Sequence, residues 1–398
     1  MKKDCTFAYS SFVINNMIDA LIELLTDISS WKFWLVCSLA LAWAIDLAYY
    51  LIVYIRIGRR KKPVPYNQAV PVSVVICAKN EAENLKNRLG YILDQDYPDF
   101  EVVVVNDQST DDTELVLDEY KQKYPNLYVT EISHNEQFRQ GKKLALTIGI
   151  KAAKNEWLLL TDADCMPASK YWIRTMSQHF TDANDFVLGY GGYEERKGLL
   201  NKLIRYDAGF IALQYYTFAE AGMPYMGVGR NLAYRKSLFV KSKGFVSHSR
   251  LMSGDDDLFV NENAQKRRVA VSYNPDSFTS CESKETFHQW NTQKQRHFSA
   301  SERYKGSHKF LLALEPMARS YFYLAAVVLS FFPPLYIVTG ALFLTRYAVF
   351  IFTISKTANR FKIKGVKALS LLFDIILPYI NLVQMILGSL RRERLKWK

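Results

Sequence analysis

Hydrophobic positions fall into three regimes along the chain. Residues 33–55 form an unbroken apolar run, residues 70–309 alternate short apolar runs with amphipathic stretches, and apolar character returns after Pro316. In the middle region the runs at 72–77, 101–105, 127–132 and 157–161 read as strands. The run Trp157-Leu158-Leu159-Leu160-Thr161 is apolar without alternation, as expected of a strand covered on both faces. Between these runs, helical spacing occupies 81–93, 112–123 and 142–153. Strand and helix in regular alternation predict an α/β fold with a mostly parallel sheet. No internal repeat or low-complexity stretch interrupts it.

The first run is long enough to cross a bilayer, which takes roughly 20 residues. Trp31 and Trp34 flank one end, Tyr49, Tyr50 and Tyr54 the other, and Arg56 and Arg59-Arg60-Lys61-Lys62 follow. Interfacial aromatics with basic residues at one end place that end, and the domain after it, in the cytoplasm. Residues 12–28 repeat apolar side chains at helical spacing and predict an amphipathic helix on the membrane face. No A-x-A-like cleavage site follows, so 1–62 reads as an amphipathic segment and an uncleaved anchor. Asp46 inside the span is either functional or a packing contact. A second membrane region, 310–398, holds a hairpin at about 318–355 turning at Pro333-Pro334. It continues in an apolar stretch at 368–390, broken by Asp374, Pro378, Asn381 and Gln384, and in a basic tail at 391–398. A full crossing by 368–390 would put that tail outside, against the positive-inside tendency. A re-entrant or interfacial course is expected, giving three spans; a crossing would give four.

Composition supports a soluble domain, 63–309, bracketed by membrane segments. Hydrophobic residues at 49% and aromatics at 14% are high for a soluble enzyme, while a mean hydropathy of −0.09 is too low for a polytopic carrier. The net charge of +12 concentrates at 59–62 and 391–398, beside apolar segments. Such clusters mark a cytoplasmic surface facing membrane lipids rather than a nucleic-acid site. The five cysteines, Cys5, Cys37, Cys77, Cys165 and Cys281, include no C-x-x-C pair. Their scatter predicts neither a disulfide framework nor a zinc site and fits a reducing compartment.

Three of the strands end in acids. Val74-Val75-Ile76-Cys77-Ala78 leads into Lys79-Asn80-Glu81, Val102–Val105 into Asn106-Asp107, and Leu158–Thr161 into Asp162-Ala163-Asp164. In an open α/β sheet these carboxyl ends face the ligand crevice. Asn80 is placed to cap the following helix, and Ser109 and Asp111 the next. No G-x-x-x-x-G-K-[S/T] or G-x-G-x-x-G occurs after these strands, so neither a P-loop nor a dinucleotide fingerprint is present. Two carboxylates at Asp162 and Asp164 suit a hard divalent cation carrying a diphosphate. Farther on, Ser253-Gly254-Asp255-Asp256-Asp257 puts three acids in a row, which a helix N-terminus alone would also favour. Trp290, Gln293 and Arg296 are spaced along one helical face, which a basic helix resting on a membrane would also present. Gly227-Val228-Gly229-Arg230-Asn231 is a glycine-rich turn, with or without a ligand.

Taken together, residues 74–81, 102–112, Gly141-Lys142-Lys143…Gly149 and 159–164 resemble the nucleotide-sugar half of a family 2 glycosyltransferase with the GT-A fold. The resemblance implies a Rossmann-like cytoplasmic domain flanked by transmembrane helices. It also implies a nucleoside-diphosphate sugar donor, most often a UDP-sugar, and Mg²⁺ or Mn²⁺ as cofactor. By the same resemblance Glu81 and Asp107 would hold base and ribose, Lys142 would lie near the nucleotide, Asp162 would contact ribose or metal, and Asp164 would bind metal. Asn106 stands where many relatives carry a second Asp. Gly254-Asp255-Asp256 matches the step that places the catalytic base, here Asp256 with Asp255 beside it. Gln293 and Arg296 resemble the Gln-X-X-Arg-Trp signature of membrane polysaccharide synthases such as cellulose, hyaluronan and chitin synthases, with His297 in place of the Trp. The implied activity is inverting hexosyl transfer to a saccharide or lipid-linked acceptor in polysaccharide synthesis. Single-sugar transfer to a lipid-linked acceptor stays open, as do a nucleotidyltransferase and an inactive nucleotide-binding scaffold.

Overall fold

The computed structural model describes residue 22 and residues 27–59, 69–132, 141–249, 251 and 253–390. Most of the amphipathic segment at 12–28, the basic residues 60–62 and the basic tail at 391–398 lie outside the described residues. A first helix, α1 (Trp31–Ala48), runs on through a π turn and a short 3-10 turn to Gly58. The domain that follows begins β1 (Val72–Ala78), α2 (Ala82–Leu93), β2 (Phe100–Asn106), α3 (Thr113–Lys123), β3 (Leu127–Glu131), α4 (Lys142–Ala152) and β4 (Trp157–Leu160). It continues with β5 (Cys165–Pro167), α5 (Trp172–Ser177), β6 (Phe186–Leu188), β7 (Gly191–Tyr193) and α6 (Leu199–Glu220). The remaining elements are β8 (Leu232–Arg235), α7 (Lys236–Lys241), α8 (Asp257–Asn263), β9 (Val269–Val271), β10 (Thr279–Cys281) and α9 (Phe287–Ser301). Three long helices follow: α10 (Gly306–Leu329), α11 (Leu335–Arg360) and α12 (Ser370–Leu390).

The predicted strands assemble into one sheet ordered β3-β2-β1-β4-β8-β6-β9. β1 pairs in parallel with both β2 and β4, and β2 with β3. β8 then runs antiparallel to β4 and to β6. Val74, Val75, Ile76 and Val102 through Val105 are buried on both faces of the sheet, which explains their unbroken apolar run. α4 lies close on this sheet at Gly149, where a Cβ would sit 2.8 Å from methyls of both Val75 and Val105. A larger residue there would lift the helix and with it Lys142 at its start.

A second sheet, β5-β10-β7, stands at the carboxyl end of β4. Its strands are three residues each, too short for a periodicity reading. Cys165 and Cys281 face each other in the antiparallel β5–β10 register and form a disulfide. This corrects the expectation of no disulfide: 116 residues separate the pair, and only sheet pairing brings them together. The bond also removes the cysteine spacing as an argument for a reducing compartment.

Among the described residues four helical stretches, Trp31–Gly58, Gly306–Leu329, Leu335–Arg360 and Lys367–Leu387, are long and apolar enough to cross a membrane. The hairpin begins earlier than its apolar run implied, because α10 continues through Pro316 from Gly306. The last apolar stretch is helical through Pro378. Leu324, Val327, Leu344, Phe352 and Leu382 leave apolar side chains on the outside. The polar interruptions turn inward. Asp374 accepts from Arg319 Nη1 at 2.6 Å and pairs with Arg346 Nη2 at 2.8 Å. Asp46 pairs with Arg346, and Glu315 with Arg319 at 3.3 Å. The partner for Asp46 that its own span does not disclose thus lies on α11.

Candidate active site

The carboxyl ends of β1, β2 and β4 bring their acids to one edge of the sheet. The β1–α2 and β2–α3 loops are tied to one another by side chains. Asn80 takes φ 56°, a left-handed conformation that Asn tolerates. Its Oδ1 accepts from Thr110 N at 2.8 Å, and its N–H donates to Ser109 Oγ at 2.9 Å. Asn80 therefore staples the two loops rather than capping α2. Asp111 supplies the cap instead, accepting from Ala82 N at 3.1 Å.

Glu81 accepts from Asn84 Nδ2 at 2.6 Å. Burial, reinforced by the charges of Asp164 and Asp162, pushes its carboxyl above the ordinary range. Asp107 is 1% exposed, and its Oδ2 is buried with no hydrogen-bond partner among the described residues. Burial raises its pKa as well. An orphaned acceptor at a strand's carboxyl end is placed to receive a donor from a ligand.

Lys142 joins two groups of acids. Standing at the first turn of α4, it donates to Asp162 Oδ1 at 2.6 Å and lies 3.4 Å from Asp255 Oδ2. Burial opposes its charge, but Asp162, Asp255 and Asp256 outweigh it and raise its pKa. Among the described residues Asp164 has no N–H or O–H donor and no ion pair. Its Oδ1 lies 3.5 Å from Cys165 Sγ, and that sulfur is bonded to Cys281 and carries no proton to donate. Burial, and the Asp162 charge next, push the Asp164 carboxyl up. An unpartnered carboxylate beside a second one fits a hard divalent cation. The neighbouring sulfurs, being bonded, offer no thiolate ligand.

The second acidic cluster opens α8. Gly254 takes φ +100°, and a Cβ there would lie 2.5 Å from Leu258 Cδ1, so the turn requires glycine. Asp256 is the N-cap: Oδ1 accepts from Asp257 N at 2.8 Å and Oδ2 from Gly229 N at 2.7 Å. Asp257 is turned away into the protein, where it accepts from the Tyr304 hydroxyl at 2.7 Å. The three titrate apart. Burial, then the Asp256 charge, push Asp257 up to about 8. Burial and Asp255 raise Asp256. Burial works against Asp255 too, but the Lys142 ammonium holds it below the usual range.

Gln293 and Arg296 on α9 are both partly buried. Gln293 Nε2 donates to the Tyr193 hydroxyl at 3.3 Å, and its Oε1 is buried with no partner among the described residues. The helix is pinned by Lys294, whose ammonium meets the Asp207 carboxylate at 3.0 and 2.8 Å. The Arg296 charge helps lower Asp255, which ties this helix electrostatically to the acidic cluster. His297 is exposed.

One residue of the glycine-rich segment received no role of its own in the sequence reading. Arg230 lies with its guanidinium 4.3 Å from the Tyr193 ring centre; burial opposes its charge, but Tyr193, then Asp162 and Asp164, outweigh it and raise its pKa. Its carbonyl accepts from Thr161 Oγ1 at 3.1 Å and Thr279 Oγ1 at 2.9 Å. The glycine-rich turn at 227–231 was visible in the sequence. That its arginine stands near enough to the Asp-X-Asp acids to feel their charge depends on how β8 pairs with β4.

Residues 73–242 match the sequence profile of the family described as "Glycosyl transferase family 2". A poly-beta-1,6-N-acetyl-D-glucosamine synthase of Staphylococcus epidermidis is 27% identical over 128 residues, 32% of this chain and 30% of the relative. Glycosyltransferase AglE of Haloferax volcanii is 30% identical over 172 residues, 43% of this chain and 52% of the relative. The chain thus spans about half or less of these curated relatives. The mannosyltransferase PcManGT from Pyrobaculum calidifontis, solved in complex with GDP-Man and Mn²⁺, superposes with a TM-score of 0.58 at 19% identity. That match covers 90% of this chain and 98% of the other, a likeness of fold.

Proposed function

The chain carries a glycosyl transferase family 2 domain of the GT-A fold over residues 73–242, and from that premise we propose an inverting glycosyltransferase. It moves a sugar from a nucleoside-diphosphate sugar, a UDP-sugar in this reading, to a saccharide or lipid-linked acceptor. The reaction runs at the cytoplasmic membrane face, anchored by the apolar helices, in the synthesis of a surface glycan. The observation that carries the proposal is the pair of acidic groups on either side of Lys142: Asp162 and Asp164 on one, Asp255 and Asp256 on the other. The names of the relatives, a polysaccharide synthase and a glycosyltransferase, support the reaction class.

In this reading Glu81 and Asp107 receive the base and ribose. Asp162 and Asp164 would hold Mg²⁺ or Mn²⁺, which supplies positive charge to the donor diphosphate. Lys142 positions Asp162 and Asp255 relative to one another. Arg230 and Arg296 bring cationic charge to the side where the diphosphate departs. An acceptor oxygen forms its bond to the anomeric carbon as the bond from that carbon to the diphosphate oxygen breaks. The electron pair leaves with the nucleoside diphosphate, and Asp256 takes the acceptor proton. Attack opposite the leaving group inverts the centre.

A screen of nucleotide-sugars for turnover by the detergent-purified chain, with Mg²⁺ or Mn²⁺, tests the proposal. Turnover of one donor, abolished by Asp164→Ala while the protein stays folded, is the expected result. An Asp164→Ala protein that turns over normally and still needs metal would sink the assignment of that residue. Single-sugar transfer is the second reading, favoured by exposed His297 where an indole would otherwise wall the acceptor side. Product length separates the two, since a ladder means chain growth and one added sugar at saturating donor means single transfer.

A further inference from the structure

The disulfide beyond the carboxyl end of β4 lies against the Asp-X-Asp acids. Cys165 directly follows Asp164, and Asp164 Oδ1 stands 3.5 Å from Cys165 Sγ. Cys281 meets Cys165 across the β5–β10 register. A carboxylate oxygen of Asp164 and the two sulfurs lie within 4.8 Å of one another. Both cysteines are buried, whereas Asp164 is partly exposed, so the group is open on its carboxylate side. Backbone contacts hold the two strands independently of the sulfurs. Cys165 N–H donates to Asp162 O at 3.1 Å, and Cys281 O accepts from Glu194 N at 3.0 Å. β10 is paired on both sides, antiparallel with β5 and parallel with β7. Opening the S–S bond therefore leaves both thiols beside Asp164. Oxidised, the sulfurs offer no thiolate, and Asp164 stands as a hard oxygen ligand. Reduced, the same residues present two thiolates and a carboxylate, a donor set that favours zinc over magnesium or manganese. Sulfur and oxygen ligands on a tetrahedral zinc stand roughly 3.5–3.8 Å apart, from bond lengths of about 2.0–2.3 Å. The carboxylate-to-sulfur distance already meets that spacing, and freed thiols can part by side-chain rotation. Arg230, Lys284 and Lys142 place positive charge near Asp164, which eases the gathering of three anions there.

We propose that Asp164, Cys165 and Cys281 form a zinc site in the dithiol state, so that the redox state of the pair decides whether Asp164 serves a hard cation or a soft one. A phosphine reductant gives two electrons to the S–S bond, while water supplies the two thiol protons and the oxygen of the phosphine oxide. Zn²⁺ then binds as both thiol protons pass to solvent. Zinc binding is independent of the glycosyl-transfer reading. Its consequence for Mg²⁺ or Mn²⁺ rests on that reading, which gives Asp164 to the donor's cation.

The full chain purified in detergent tests it in two states, oxidised and phosphine-reduced, with free thiols counted and the phosphine removed under argon. Zn²⁺ and Co²⁺ are the probes. After gel filtration the reduced protein should retain one zinc ion per chain, and the oxidised protein should lose it. Co²⁺ should give a sulfur-to-metal charge-transfer absorption in the reduced protein alone. Cys165→Ser and Cys281→Ser should each lose the retained zinc. Comparing two states of one unaltered chain keeps the test decisive even where a variant fails to fold. Zinc retained equally in both states, zinc lost from both, or Co²⁺ bound without the sulfur band would each overturn the site. A disulfide that the phosphine cannot open in the folded protein would overturn it too, since no dithiol state then exists. Binding of Mn²⁺ with UDP, read from the paramagnetic signal of free Mn²⁺, checks the consequence. Zinc should block it in the reduced protein and leave the oxidised protein unchanged. Zinc held by the reduced protein with Mn²⁺ binding untouched would strike Asp164 as the donor's metal ligand and leave the zinc site standing.

Discussion

Asp256 is held by two backbone N–H groups, those of Gly229 and Asp257, which fix its direction without supplying a counter-charge of their own. Asp256→Asn keeps that shape and removes the base. Turnover should fall about 10²–10⁴-fold, the usual worth of general base catalysis, with nucleotide affinity nearly unchanged in a direct binding measurement. The pH profile follows from the raised pKa. A base works deprotonated, so kcat should rise with pH through the Asp256 pKa, at a pH above the ordinary carboxylate value. Burial is the larger cause and the Asp255 charge the next. Asp255→Asn should therefore move the acid limb to lower pH; a limb that stays in place would remove Asp255 as its cause. At this scale the placement of the candidate acids was legible wherever they sit at the end of a strand: Glu81, Asp107, Asp162 and Asp164 all come to one edge. Asp255 and Asp256 could be named, with Asp256 as the base, but not their charge states, which depend on how Lys142, Lys143 and Arg296 are disposed about them. Arg230 and the Cys165–Cys281 bond were illegible, since each depends on a pairing between strands far apart in the chain.

Elements repeat the same division. Of the four parallel strands, β1, β2 and β4 were readable because each buries a continuous apolar run, and β3, which buries only Leu127, because it keeps the alternation with helices. β5 to β10 were not: all but β8 are three residues long, shorter than any periodicity can be counted over. In the apolar helices the polar interruptions read as defects in a span, whereas the fold uses them as contacts. Asp374 on α12 meets Arg319 of α10 and Arg346 of α11, and Arg346 in turn meets Asp46 of α1. Breaking a buried pair leaves the other charge stranded and typically costs about 3–5 kcal/mol. Asp374→Ala, which takes one of two carboxylate partners from each of two buried guanidinium groups and leaves Arg319 with Glu315 and Arg346 with Asp46, should destabilise the detergent-solubilised protein on that order, read as a lowered melting point. A variant that melts with the unmodified protein would make the cluster energetically silent.

Across the whole molecule, the catalytic sheet, its acids and the apolar helices form one chain order: anchor, domain, helices. The bracketed arrangement was visible in the hydropathy pattern, while the side on which the last helix ends depends on side-chain contacts that no pattern displays. The Asp46–Arg346 pair has a consequence for how the protein is made. The two residues stand 300 positions apart. Synthesis at about 5–20 residues per second leaves the acid waiting about 15–60 s for its guanidinium. An aspartate at the centre of a lone apolar helix costs about 2.5–3.5 kcal/mol to insert. The anchor should therefore enter the bilayer reluctantly or be sheltered by the insertion machinery until α11 emerges. Nascent chains arrested before residue 346 should resist alkaline extraction less well than the same chains carrying Asp46→Asn. Once α11 is complete the order should reverse, with the aspartate giving the more firmly seated protein.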